Sequence, residues 1–309
     1  AATATEKILW FMAQLASVDE LQLNTELLQH ASSVLECQSA ALDESYDAAR
    51  NDPELQTIQA NEPHVLLARR RFCVLWKPSG WAVPISYSSL EEEETNQDRL
   101  AEGTLLLQDW VAKRFGTNYP ISLDQRFGHG FIHRLDRETS GTILWASCYS
   151  GHNALRQQLL LRRIGKEYIA LCHGHLSSEP RCLNHPLLKV SLNDGSNPRT
   201  IVAGSGLVAR TELLEVTHLV CPVGNSFSLV KIRLHTGRRH QIRAHLSHEG
   251  HPLVCDNLYG GSTPQWCPRL FLHAHCLRLN AGDGLVIAQT ALPHDLVQAV
   301  QSLSPANPF

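Results

Sequence analysis

The chain has 309 residues, 43% of them apolar and 18% charged, with a formal net charge of −3. That length supports one large domain with a buried core, and near-average apolar content with so small a net charge excludes a disordered chain. The charge is split, however: residues 1–64 carry eleven Asp/Glu against only Lys7 and Arg50, a net of −9, and the remainder carries +6, so a basic body follows an acidic front and the average decides nothing about partners.

From Thr5 to about Ala49, Ile8, Phe11, Met12 and Leu15 and then Leu23, Leu27, Leu28, Ala31, Val34 and Leu35 recur at helical spacing, and Asn51-Asp52-Pro53 ends the run. The spacing predicts an amphipathic helical extension over residues 1–61. After Pro63 the period changes. Val65 to Leu67 and Phe72 to Leu75 read as strands that end at Lys77-Pro78-Ser79-Gly80. The carboxylate run Glu91 to Glu94 lies in a Ser/Asn/Asp-rich stretch and reads as a solvated loop. Leu105 to Phe115 is a predicted short helix, Thr142 to Ala146 a buried strand, and Asn153 to Ile164 an amphipathic helix. Lys166 to Cys172 alternates as a half-buried strand should, and Ser226 to Leu234 does likewise. Irregular interleaving without regular βαβ units predicts an α+β fold.

No stretch of 18 apolar residues occurs, so no membrane-spanning helix is expected. The nine cysteines are scattered and form no CxxC pair. That spacing argues against a zinc ribbon or a secreted disulfide scaffold and predicts a reducing intracellular compartment. No targeting signal is read from a chain that opens on Ala1.

Three segments carry chemistry. In His133-Arg134-Leu135-Asp136-Arg137-Glu138-Thr139-Ser140-Gly141, a carboxylate between two arginines stays ionised, which suits a nucleophile or an electrostatic stabiliser. A salt-bridged turn is the plainer account of the same residues. In Thr236-Gly237-Arg238-Arg239-His240-Gln241-Ile242-Arg243-Ala244-His245, Thr236-Gly237 breaks a strand and a helix start follows. Arg239 and Arg243 then share one face at i, i+4, with Gln241 and His245 on another. A helix start bearing arginines suits phosphate or carboxylate. The series His240, His245, His248 and His251 lacks the HExxH arrangement and a clear carboxylate partner, and His273, His275 and Cys276 alternate along a predicted strand, so no metal site is expected.

Taken in order, these segments resemble the RluA-like pseudouridine synthases over most of residues 65–300. Lys77-Pro78-Ser79-Gly80 is similar to the first motif of that family, His133 to Gly141 to its catalytic motif, and Lys166-Glu167-Tyr168 to its Lys-x-Tyr strand. Thr236 to His245, Gly250-His251-Pro252, Asp256-Asn257-Leu258-Tyr259-Gly260, Leu272-His273-Ala274 and Leu292-Pro293 resemble the later segments. Arg239 stands where the family usually has Thr or Ser, and Cys255 where it usually has Gly.

The resemblance implies a bent, largely antiparallel mixed sheet with a central basic cleft. It implies isomerisation of uridine to pseudouridine in rRNA or tRNA, with no cofactor and no metal. Asp136, Tyr168 and Arg243 match the catalytic positions, and Arg134 the residue that fills the space left by an extruded nucleotide. His133, Lys166, Arg137, Arg238, Arg239, His240, Gln241 and Tyr259 complete the expected RNA-binding set. The expected division is an acidic extension (1–61), a catalytic domain (62–300) and a tail (301–309), acting as a monomer with no protein partner. The rival reading is a non-catalytic RNA-binding protein on the same scaffold.

Overall fold

The structure, a computed structural model, describes residues 61–83, 103–190, 198–280 and 284–306. The predicted helical extension and the Glu91 to Glu94 loop lie outside these residues. Twelve strands are described, beginning with β1 (His64–Arg69), β2 (Phe72–Lys77), β3 (Ser140–Ala146), β4 (Gly165–His173), β5 (Arg181–Leu183) and β6 (Leu187–Val190). They continue with β7 (Arg199–Val202), β8 (Thr211–Val220), β9 (Ser226–Leu234), β10 (Leu272–Asn280), β11 (Leu285–Gln289) and β12 (Ser304–Pro305). The described α-helices are α1 (Leu107–Phe115), α2 (Tyr149–Leu160), α3 (Gln241–His248) and α4 (His294–Gln301).

Ten strands form one sheet along the path β1-β2-β3-β10-β4-β9-β8-β12, with β11 on β10 and β5 on β8, while β6 and β7 make a separate hairpin. All pairings are antiparallel except β3 with β10. The architecture is α+β, and its last strand lies beyond residue 300. Among the described residues no helix is long and apolar enough to cross a membrane.

The parallel pairing of β3 with β10 explains one glycine. Ser140 and Gly141 lie against His273 and Ala274, and a Cβ at Gly141 would stand 2.2 Å from the Ala274 carbonyl oxygen at a backbone φ of +124°. Only glycine admits so close an approach with that dihedral.

Two elements differ from their sequence reading. The strand over Lys166 to Cys172 is not half-buried: every residue from Lys166 to Cys172 is buried. Tyr168, Ala170 and Cys172 join a core that includes Leu107 and Val111 of α1 and Ile242 and Leu246 of α3. Ile169 and Leu171 join the core built with Leu296, Ala299 and Val300 of α4. Burial on both faces erases the polar side of the alternation, and each large apolar side chain so buried contributes about 2 kcal/mol. The helix expected over Asn153 to Ile164 lies one turn earlier. The Cys148 sulfur accepts the Gly151 N–H at its start. At its end Arg162 takes φ +55°, and the Arg163 N–H closes back on the Gln158 carbonyl, a Schellman ending.

Candidate active site

The segment after β9 and the turn before β3 face each other across a cavity of about 410 Å³. It is lined by Arg134, Asp136, Lys166, Tyr168, Arg238, Arg239, His240 and Arg243 among others, with Leu159, Leu160, Arg162 and Ile164 from the end of α2. Asp136 is the only acid among the lining residues.

The Asp136 turn is held by the end of β2. Lys77 is fully buried, and its Nζ donates to the carbonyls of Pro78 (2.8 Å), Trp81 (2.7 Å) and Arg137 (3.1 Å). The Gly80 N–H also donates to the Arg137 carbonyl (2.8 Å), and the Ser79 hydroxyl to the Glu138 carbonyl (2.9 Å). The first sequence motif is thus a brace for the second.

Arg243 is the pivot on the opposite wall. Its Nε and Nη2 donate to both oxygens of Asp256 at 2.8 Å each, and its Nη1 reaches Asp136 Oδ2 at 3.4 Å. The expected pairing with Asp136 is present, but the bidentate partner is Asp256, fully enclosed beside it. Nothing in the spacing of Asp256, thirteen residues downstream, points to this role; only the recurrence of the segment as a motif marked it.

The electrostatics follow from burial among cations. Burial raises the Asp136 pKa, but His240, Arg243, Arg134 and Arg239 together outweigh it and hold the carboxyl at about 2. His240 is itself pushed down to about 4 by burial against the opposing pull of Asp136, so at neutral pH the arginines keep Asp136 ionised. Arg243 is held above the usual arginine range: burial lowers it, but the Asp256 hydrogen bonds and the Asp136 charge prevail. Burial, and then Asp136, raise Tyr168 above the usual phenol range, so it faces the cavity as a neutral phenol. Burial alone brings Lys166 down to about 8.

The remaining expected residues sort by what holds them. Gln241 lines the cavity with its amide fully engaged. Its oxygen accepts from Thr236 Oγ1 (2.7 Å) and the Arg238 N–H (3.0 Å), and its nitrogen donates to the Arg210 carbonyl (3.0 Å) and Thr211 Oγ1 (2.9 Å). It is a clamp on the loop, with no capacity left for substrate. His133 Nε2 accepts the Leu144 N–H at 3.1 Å, and burial pushes its pKa down to about 3, so it props the turn as a neutral ring. Arg137 does not line the cavity and pairs with Glu138 at 2.7 Å. Tyr259 stands one layer behind. Its hydroxyl meets the Thr200 N–H (2.8 Å) and His240 Nδ1 (3.1 Å), and its ring lies 5.0 Å from the Arg243 guanidinium. Arg239 bonds the Pro198 carbonyl at 3.1 Å and Arg238 the Val208 carbonyl at 3.2 Å, both on the cavity wall. Arg239 precedes α3, because His240 takes a left-handed φ of +49° before the helix begins, so the expected i, i+4 face with Arg243 does not form.

Among the described residues no group of three or more His, Cys, Asp or Glu side chains is placed to hold a metal ion. His245 bonds Thr211 and the His185 carbonyl, His251 the His173 carbonyl, and His273 both Ser140 and Thr290.

Residues 71–248 match the family described as RNA pseudouridylate synthase. A Bacillus subtilis protein described as an uncharacterized RNA pseudouridine synthase is 36% identical over 171 residues, 53% of each chain. The ribosomal large subunit pseudouridine synthase C of Pasteurella multocida is 32% identical over 232 residues, 73% of this chain and 62% of the relative. The matched stretches thus span about half to three-fifths of these relatives' length. Among solved structures, the human RNA pseudouridylate synthase domain containing 1 superposes with a TM-score of 0.59 at 24% identity, covering 80% of this chain and 90% of its own. The human domain containing 4 gives 0.56 at 19% identity, over 79% and 94%. At that identity the likeness is one of fold.

Proposed function

The chain belongs to the RNA pseudouridylate synthase family, and from that premise we propose that it isomerises uridine to pseudouridine in RNA, with rRNA or tRNA as substrate. The observation that carries the reading is the lone ionised Asp136 in a cavity whose lining holds six Lys or Arg side chains and the Tyr168 phenol but no second carboxyl group. In the isomerisation the bond from the ribose C1′ to the uracil N1 breaks and a bond from C1′ to C5 forms. A proton leaves C5 and one is gained at N1, so nothing is consumed or released and no redox or group-carrying cofactor is called for. Glycoside hydrolysis uses a second carboxyl group to activate water or protonate the leaving group. A cavity whose lining offers one acid instead favours holding the detached base and rejoining it.

A uridine inside folded RNA enters such a cavity only when flipped out of its stack, at a cost of roughly a few kcal/mol. Tyr168 supplies a flat apolar wall and Lys166, beside Gly237, a cation that no carboxylate of the lining neutralises. Asp136 is the residue on which the reaction turns in this reading, and Arg243 fixes its orientation.

The test is pseudouridine mapping across total RNA from cells lacking the protein, rescued with the wild type or with Asp136→Ala. The expected outcome is one or a few uridines left unmodified in the deletion and restored by the wild type alone. With purified protein, Asp136→Ala should retain less than about a thousandth of the wild-type rate, as loss of a nucleophile commonly does. Rescue by Asp136→Ala would overturn the reading.

A further inference from the structure

One wall of the cavity belongs to none of the sequence motifs: the end of α2. Leu159, Leu160, Arg162 and Ile164 line it. Two leucines there face solvent, Leu160 at 74% and Leu161 at 53% exposure, and the next two residues, Arg162 and Arg163, are exposed cations. Contiguous exposed apolar surface rimmed by polar residues marks a binding groove or contact surface.

The backbone adds an independent observation. The helix closes with the Arg163 N–H bonded to the Gln158 carbonyl at 2.9 Å, and Arg162 occupies the left-handed position at φ +55°. Glycine holds that position without steric cost, whereas a residue with a Cβ holds it under strain. Here the strained position carries a guanidinium at the cavity wall. Strain retained at a cavity is a pointer to function rather than to the turn itself.

We infer that the α2 corner is a second RNA-contact site, in which Arg162 and Arg163 pair with phosphates next to the flipped uridine and Leu160 packs against a neighbouring unstacked base. The inference rests on the proposed activity. It is favoured by charge complementarity, since two adjacent cations with an exposed apolar platform match a phosphodiester chain whose bases have been splayed. Arg238 and Arg239 line the same cavity from the segment before α3, so a strand leaving the cavity meets cations on both walls.

The test uses the full chain and a fluorescein-labelled, uridine-containing single-stranded RNA of 20 nucleotides, with anisotropy read across a potassium chloride series. Arg162→Gly keeps the left-handed turn and removes only the side chain, so its melting temperature should equal or exceed that of the wild type. Combined with Arg163→Gln, it should weaken binding by roughly tenfold at 100 mM salt and reduce the slope of log K against log salt by about 1.4, as two lost phosphate contacts require. Leu160→Ser should weaken binding without changing the slope. Val223→Ser, at an 82% exposed position in the β8–β9 turn, should bind as the wild type does.

Wild-type affinity and slope in the double arginine variant would overturn the inference while leaving the proposed activity intact. A wild-type protein that neither binds this RNA nor forms pseudouridine in total RNA would overturn both.

Discussion

One guanidinium answers two carboxylates, Asp136 in the cavity and Asp256 buried behind it, and the division of labour between them has measurable consequences. Asp256 takes two bonds of 2.8 Å from Arg243, leaving Nη1 for Asp136 at 3.4 Å. Asp256 is therefore the residue that aims Arg243, although it lies outside the cavity lining. Removing one member of a buried pair leaves the other charge uncompensated, at about 3–5 kcal/mol. Asp256→Ala should accordingly lower unfolding stability by that order in a denaturant titration and depress turnover together with it. Arg243→Lys should lose turnover as well, because an ammonium is a point charge that does not bridge two carboxylates as a planar fork does. Wild-type turnover in either variant would sink the assignment. The pH dependence follows from Asp136. Its folded pKa of about 2 lies below the usual carboxyl value of 3.8, so the folded state favours the ionised form. The stability this contributes is complete above about pH 4 and is lost as pH falls through 2. Asp136 thus supplies no acid limb to the rate between pH 4 and 8, and an Asp136 side-chain carboxyl carbon resonance that titrated in that window in the wild-type protein would contradict the depressed value.

At the scale of elements, the β2 end and the Asp136 turn behave as one unit through Lys77. Three carbonyls converge on its Nζ, and Lys77→Met of similar length would leave those of Pro78 and Trp81 without a donor, while the Arg137 carbonyl keeps the Gly80 N–H. Buried unsatisfied acceptors cost about 1–3 kcal/mol each. Lys77→Met should therefore destabilise the fold by about 2 kcal/mol or more in urea unfolding and slow pseudouridine formation, although Lys77 does not line the cavity. Full stability in this variant would show that the bonds are incidental. The elements differ in how far they were legible. The strand over Ser226 to Leu234 was read with its observed bounds, because polar residues mark its period. At Lys166 the alternation places the strand but leaves one face open, since α4, which covers Ile169 and Leu171, comes more than 120 residues later. The second helix slid by a turn because a cysteine cap and a left-handed arginine carry no usual capping signature. That Asp136, Tyr168 and Arg243 meet in one cavity is legible through motif order. The saturated amide of Gln241, the structural ring of His133 and the clamp by Asp256 were not, since each depends on which groups the fold brings within 3 Å.

At the scale of the whole molecule, the charge split becomes a statement about binding. The cavity lining gathers Arg134, Arg162, Lys166, Arg238, Arg239 and Arg243 around one acid, so its field attracts a polyanion. Residues 1–60 carry ten Asp/Glu and two cations, and without them the net charge changes from −3 to +5. The ten described strands of the large sheet and the described cavity-lining residues lie within 61–306. Deleting residues 1–60 should therefore leave pseudouridine formation in place and tighten RNA binding a few-fold in 20 mM salt. At 0.1 M salt the Debye length is about 10 Å, so the gain from losing the acidic front should shrink there and be absent near 1 M, where it is about 3 Å. Affinities of both proteins for the same RNA, measured across that range, separate a long-range charge effect from a direct contact. A long-range effect makes the two curves converge as salt rises. A truncated protein that is folded by circular dichroism, yet neither binds nor modifies RNA at any salt, would place the first sixty residues inside the substrate site and move the domain boundary ahead of residue 61.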